Sequence, residues 1–436
     1  MLKIKYQIFY FFIILYSTYC AIFIGQSWDE GFHIMQGKVT LEYLFSLGKI
    51  NKDYFYKEFY SPIYWTIQFF LSQIISLKYQ IEIIHIINLI ISLFTAIGLS
   101  KICRIIFNKD IKKISLIVLL LYPIFFGHAA MNGKDTILAF SHVWIFYFIL
   151  QYLKNQFILS KKNKYIYFLA FVSATATGIQ LLFFGSLISI FLFIIIEIIF
   201  IKKFCCKNFN KNIFLFDLLK FFFFFYLILV FFWIGTHDNI ATKPIEFFIK
   251  SLGDDIWRGW PYNLINGNMY LANNLPSNYF ILNIFFKSPE YILFLYLIFF
   301  IFFLTINNFF KNKIKDFNYK LIIIISVLLL PIGISIFSSL PVYDGLRLFI
   351  WVLPYFCIIP SLMIFFLYKK LNNLRFKIIS IISCGLFIFY IFNFILITPY
   401  HYTYLNSFTK NSKKSKNFEN DYWGISIKEL INNINI

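Results

Sequence analysis

The sequence predicts an all-α polytopic membrane protein, a bundle of about eleven transmembrane helices with interfacial helices in the first outer loop. Three observations predict it. Of the 436 residues, 60% are hydrophobic and only 14% are charged, whereas a soluble domain is about half apolar and about a quarter charged. Several apolar runs reach ~20 residues, enough to cross a hydrocarbon core of ~30 Å. The basic residues alternate along the chain between rich and poor interspan segments, as insertion into a membrane requires. A net charge of +20 would point to nucleic acid in a soluble chain. Here the positive-inside rule accounts for it, so membrane lipid is the expected surroundings and no nucleic-acid partner is expected.

In chain order, the first apolar run covers 6–25. It lacks a small-x-small cleavage site before the polar stretch that follows, so it reads as an uncleaved helix. The stretch SWDEGFHIMQGK, 27–38, opens the first outer loop. Segment 62–78 begins at Pro62 and carries Gln68 and Gln73. It is short for a crossing and reads as an interfacial or re-entrant helix. Spans are expected at 80–100, 114–127, 136–152, 165–181, 183–202 and 215–235. After the long segment 236–288 come 289–308, 320–340, 348–368 and 376–398. Residues 1–398 then form a transmembrane domain and 399–436 a short outer tail. The six cysteines form no CxxC pair and no ligand cluster with histidine, so neither a disulfide framework nor a zinc site is expected.

The charge count orients this layout. With Lys3 and Lys5 inside, the inside segments 101–113, 154–164, 202–211, 311–320 and 369–377 bring the total to 23 Lys and Arg, accompanied only by Asp110 and Asp316. The opposite segments 28–61, 128–135, 236–290, 341–347 and 399–436 hold 15 basic and 15 acidic residues. If 62–78 crossed fully, every later loop would invert and the basic loops would lie outside, against the rule.

Every chemically interesting segment falls on the balanced, outer side. Asp29 and Glu30 sit just past the first span. A partly desolvated carboxylate there can take a proton from an acceptor, and its neighbour can bind hydroxyls or help hold a divalent cation. The alternative is an acidic helix N-cap, since Ser27 and Asp29 can both cap. His33 lies one helical turn after Asp29 and could orient it or contact a phosphate. Asn132, Lys134 and Asp135 occupy a very short outer loop, where Lys and Asp suit a phosphate and a hydroxyl, or an interfacial anchor and a cap. Asp344 and Arg347 occupy another. The planar fork of Arg347 suits a phosphate, or snorkels to the interface. In 236–288, Trp260, Tyr262 and Asn266 belong to an aromatic and amide-rich set that suits sugar stacking, or a membrane-interface belt.

The motifs WDEGFHIMQGK, GHAAMNGKD, VYDGLR, YHYTYLN and DYWGIS, in that order, resemble the bacterial membrane glycosyltransferases of the GT-C superfamily. Within it they resemble the family 39-like group, of protein O-mannosyltransferase and aminoarabinose-transferase type. Gly133 stands where those relatives usually have Pro, and Leu348 where they often have His. The resemblance implies a GT-C-type bundle and an inverting transfer of one sugar from a polyprenyl-phosphate donor. It also implies an acceptor, whether glycan, lipid or protein, at the periplasmic face of a bacterial inner membrane. It makes Asp29 the catalytic base supported by Glu30, and places His33, Lys134, Asp135, Asp344, Arg347, Trp260, Tyr262 and Asn266 in substrate binding. No cofactor is expected with certainty; a divalent cation, if used, would fall to Asp29 and Glu30. The competing readings are a non-enzymatic flippase or transporter for lipid-linked glycans, which calls for polar residues lining a path through the spans, and an assembly factor.

Overall fold

The computed structural model describes residues 2–49, 57–76, 78–252, 261–337, 341–410 and 416–434. Helix α1 (Leu2–Phe23) is followed, after a turn of 87°, by α2 (Trp28–Phe45). A right-angled continuation cannot share the direction of a span, so α2 lies across the end of the bundle that α1 reaches. Helix α3 (Ile63–Ile75) has 13 residues, about 20 Å of helix, which is short of a crossing. It packs on α2 and places Ile63, Tyr64 and Trp65 in the interior.

Helix α4 (Gln80–Ile106) is the hub. It packs against α1, α3, α5 (Lys109–Leu120), α6 (Pro123–Met131) and α7 (Asp135–Asn155). Its buried Ser92, Thr95, Ala96, Gly98 and Ser100 are small, which lets neighbouring helices approach closely. The expected span 114–127 is two helices bent by 67°. Pro123, in the first turn of α6, cannot continue the hydrogen-bond ladder of α5. Helix α7 packs on α8 (Leu159–Ile179) and on the 3₁₀ turn Arg347–Val352, which begins a further span.

Among the described residues, six helices are long and apolar enough to cross singly, or up to nine if each of three bent pairs counts as one span. Among the described residues, each of the eleven expected segments is mostly helical. The difference lies in particular segments. Helix α8 opens with Lys161, Lys162, Asn163 and Lys164, which dilute its apolar length. The 183–202 region is broken between Ser186 and Ile188 and ends in a π-helical turn, Glu197–Ile201. The pair Tyr279–Lys287 and Glu290–Ile301 bends by 118° at Pro289. Outward-facing Phe216, Leu219, Phe223 and Leu304 are largely exposed. Such an apolar belt belongs against lipid, and the chain is an integral membrane protein of all-α architecture.

The long segment 236–288 is more than loop. Strands β1 (Tyr262–Ile265) and β2 (Asn268–Leu271) form an antiparallel hairpin. Its two-residue turn is Asn266-Gly267, with φ of 51° and 85°, the left-handed pair that Asn-Gly adopts in hairpins. The tail then pairs with this hairpin: Phe418 bridges Ile265, and Gly267 N donates to Asn417 O at 3.1 Å.

Candidate active site

At one end of the bundle, four distant segments meet around Arg347. Its guanidinium donates from Nη2 to Asp29 Oδ2 at 2.5 Å, from Nε to Asp135 Oδ2 at 3.0 Å and from Nη1 to Asp344 Oδ2 at 2.7 Å. The indole of Trp423 lies over it, 4.1 Å from guanidinium carbon to ring centroid. A planar fork can satisfy three carboxylates and still present a face to a ring, which an ammonium cannot do. Arg347 is buried, and so are Asp135 and Asp344, but the Asp29 side chain is 40% exposed. Asp29 is therefore the carboxylate of the three that an incoming molecule can reach.

Local sequence explains each placement. Asn132 ends α6, and its Oδ1 accepts from Asp135 N at 2.9 Å while its Nδ2 donates to Asp135 Oδ2 at 2.9 Å. The second carboxylate oxygen, Oδ1 of Asp135, is buried with no hydrogen-bond partner, so it is an acceptor waiting for a donor. Asn132 Nδ2 also faces His128 Nδ1 at 3.2 Å, which leaves Nε2 as the protonated nitrogen, 2.8 Å from the Tyr422 hydroxyl. Gly127 is required because a Cβ there would sit 2.0 Å from Tyr402 N; the tail crosses α6 at that point. Asp344 and Gly345 have φ of 58° and 66°, a tight reversal that brings Asp344 back onto Arg347 three residues later. A Cβ on Gly345 would meet Lys287 Nζ at 2.4 Å, so the glycine admits a second buried cation beside the site.

Electrostatics follow from this crowding. Burial raises the Asp29 carboxyl, but nearby positive charge, Arg347 above all and Lys134 with it, outweighs it and holds it below the usual carboxylate value. Burial raises Asp344 above that value despite Arg347. Burial pushes His33 down to about 3, so its ring, stacked on Trp65 at 4.2 Å, is neutral and brings no charge to a phosphate. Burial opposes the charge on Lys134, yet Tyr60, Tyr343 and Asp135 raise it overall; it stays a cation, 5.9 Å over the Tyr60 ring.

The structure brings Asp29, Asp135, Asp344 and Arg347 into contact, with Lys134 and His33 beside them. Glu30 is directed elsewhere. Its Oε2 accepts from Ser27 N at 2.6 Å, and its Oε1 lies 2.8 Å from His85 Nε2, both groups almost fully buried. The capping acid of this stretch is thus Glu30, not Asp29. The two carboxylates diverge, so they do not fit a shared divalent cation. Among the described residues no group of three or more His, Cys, Asp or Glu is placed to hold a metal ion. Tyr262 is exposed at the start of β1, and Asn266 is spent on the hairpin turn; neither touches Arg347. Trp260 lies outside the described residues.

Four participants escaped sequence reasoning. Trp423 and Tyr422 stood in a recognised motif but carried no assigned role, because nothing in a sequence says that a tail folds back. Lys287, a single base in FFKSPE just before a span, reads as an interfacial anchor. Glu419 accepts from Leu264 N at 3.3 Å and, together with Asp344, faces Lys287.

No family model and no curated relative matches this sequence. Two crystal structures of ArnT from Cupriavidus metallidurans share its fold. The apo state superposes with a TM-score of 0.55 at 12% identity, over 83% of this chain and 60% of that one. The structure bound to undecaprenyl phosphate gives 0.55 at 13% identity, over 82% and 59%. This chain thus spans about 60% of the length of the solved structures it matches.

Proposed function

We propose that this protein is a membrane glycosyltransferase that moves one sugar from a polyprenyl-phosphate donor to an acceptor at the outer, periplasmic face of a bacterial inner membrane. The observation that carries the reading is the Arg347 cage. One buried guanidinium is held by three carboxylates from α2, α7 and the 341–347 loop, and one of those carboxylates is open to approach. The likeness to a fold solved with undecaprenyl phosphate bound supports a lipid phosphate as the group Arg347 meets.

In the reaction, an acceptor hydroxyl or amine attacks the anomeric carbon of the donor. The bond from that carbon to the phosphate oxygen breaks, and the lipid phosphate leaves with the electron pair. Asp29, ionised in the resting site, takes the acceptor's proton. Arg347 and Lys134 stabilise the charge that grows on the leaving phosphate. The unpartnered Asp135 Oδ1 accepts from a hydroxyl or amine of the donor sugar. As Arg347 turns toward the phosphate, its hold on Asp29 weakens and Asp29 becomes a stronger base when the donor is present.

The test is turnover. The purified protein, reconstituted with polyprenyl-phosphate sugars extracted from the parent membrane, should release polyprenyl phosphate. A strain lacking the protein should accumulate the donor while one glycan loses one residue. Donor levels unchanged in that strain, with no phosphate released in vitro, would favour the flippase or assembly-factor reading.

A further inference from the structure

At the opposite end of the molecule lies a second polar concavity, unconnected with the Arg347 cage. A cavity of about 490 Å³ opens between the helices Phe303–Lys311 and Ile358–Lys369. Thr305, Asn308, Asn312, Lys313, Lys369 and Lys370 line it around the ring of Phe309. Lys369 ends the helical run of 23 residues that begins at Arg347. At 1.5 Å per residue that run is roughly 35 Å long, about one membrane thickness.

Three features set this cavity apart from an ordinary basic loop. The contributing chain is free of acid: no Asp or Glu occurs in 291–315 or in 345–418. Among the described residues, none of the three lysines is ion-paired; the nearby Asp316 is taken by Lys203 at 2.7 Å. Two of the ammonium groups crowd one ring: Lys313 Nζ lies 4.4 Å and Lys370 Nζ 5.7 Å from the Phe309 centroid. Like charges held over a shared ring repel, and an anion between them relieves the repulsion.

The apolar surface next to the cavity says which anion. Ile301, Leu304 and Tyr368 are exposed by 61%, 75% and 66% beside it, a lipid-facing surface along which acyl chains can lie. We infer that this cavity binds the headgroup of an anionic phospholipid in the leaflet opposite the active site. The lysines meet its phosphate, and Thr305, Asn308 and Asn312 meet its glycerol hydroxyls and ester oxygens. Basic pockets between membrane helices bind anionic headgroups in this way. Lipid bound there would hold the far end of the span whose near end is Arg347.

The experiment is lipid retention by native mass spectrometry. The whole protein is equilibrated with equal amounts of phosphatidylglycerol and phosphatidylcholine. The wild type should retain phosphatidylglycerol selectively. The triple variant Lys313→Gln, Lys369→Gln, Lys370→Gln should bind it roughly 100-fold more weakly, since each lysine near an anionic lipid contributes about a factor of five. A control triple variant, Lys109→Gln, Lys207→Gln, Lys211→Gln, removes equal charge from exposed positions and should retain the lipid as the wild type does. Equal loss in both variants would mean bulk charge attraction and would overturn the site. So would absence of selectivity in the wild type. Full displacement of the lipid by inorganic phosphate at millimolar concentration would assign the cavity to a free anion instead.

Discussion

Arg347 Nη2 and Asp29 Oδ2 meet at 2.5 Å although 318 residues separate them in the chain. The pairing keeps Asp29 ionised at neutral pH, as the proposed proton acceptor must be. Asp29→Asn keeps the shape and the hydrogen bond but removes the base. Turnover should fall by roughly 10²-fold or more with expression and insertion unchanged. Glu30→Gln, one residue on, should act on folding instead, because its carboxylate serves the α2 cap and His85. Single-turnover assays beside thermal unfolding of both variants separate the two effects; a well-folded Asp29→Asn protein with near-normal turnover would remove Asp29 from the chemistry.

Arg347→Ala strands Asp135 and Asp344 as buried carboxylates. Breaking a buried pair in this way costs about 3–5 kcal/mol, so this variant should fail by losing its fold. Arg347→Lys keeps one charge and is the informative change. It should fold and should raise KM for the donor, because one ammonium cannot replace a fork shared among three partners. Donor kinetics equal to wild type would return Arg347 to a purely structural role.

Trp423 covers the guanidinium from the tail. Trp423→Leu preserves bulk and deletes the ring quadrupole, which is worth about 1–2 kcal/mol where the cation is desolvated. Donor affinity should drop about tenfold, while Trp423→Phe should recover part of it. Titration calorimetry with polyprenyl phosphate reads both. Identical affinities across the series would show that the ring only fills space.

Glu419 supplies a pH signature. Burial, then Asp344, raises its carboxyl from 4.5 to about 7, against Lys287. Between those values the folded protein keeps a proton that the unfolded chain has lost, so stability declines as pH rises through this window. Glu419→Gln imitates the protonated form. Its Tm should stay level from about pH 5 to about pH 8 where the wild type falls. Parallel Tm curves for the two proteins would exclude Glu419 as the titrating group.

Reporter fusions check the orientation drawn from the 23-to-15 division of basic residues. Fusions after Asn155, Asn312 and Asn372 should report the cytoplasm, and one at Asn268 should report the outer side. A cytoplasmic signal at Asn268 would invert the proposed topology and move the candidate site to the inner face.

The sequence by itself determined the class of fold and set the expectation of the side on which chemistry gathers. Both follow from quantities that are linear in the chain: apolar run length against membrane thickness, and charge against insertion. It also brought forward Asp29, Asp135, Asp344 and Arg347, because charged residues in short loops between apolar spans are few. Tertiary structure alone decided which of them touch. Asp29 and Glu30 look interchangeable as neighbours, yet successive helical side chains point about 100° apart, so one reaches Arg347 and the other caps its own helix against His85. The tail gave no linear sign of where it would land. Trp423 and Glu419 reach the site only because hairpin pairing at Phe418 and the crossing at Gly127 fold the chain back over Arg347, and contacts between segments so distant are set by packing in three dimensions.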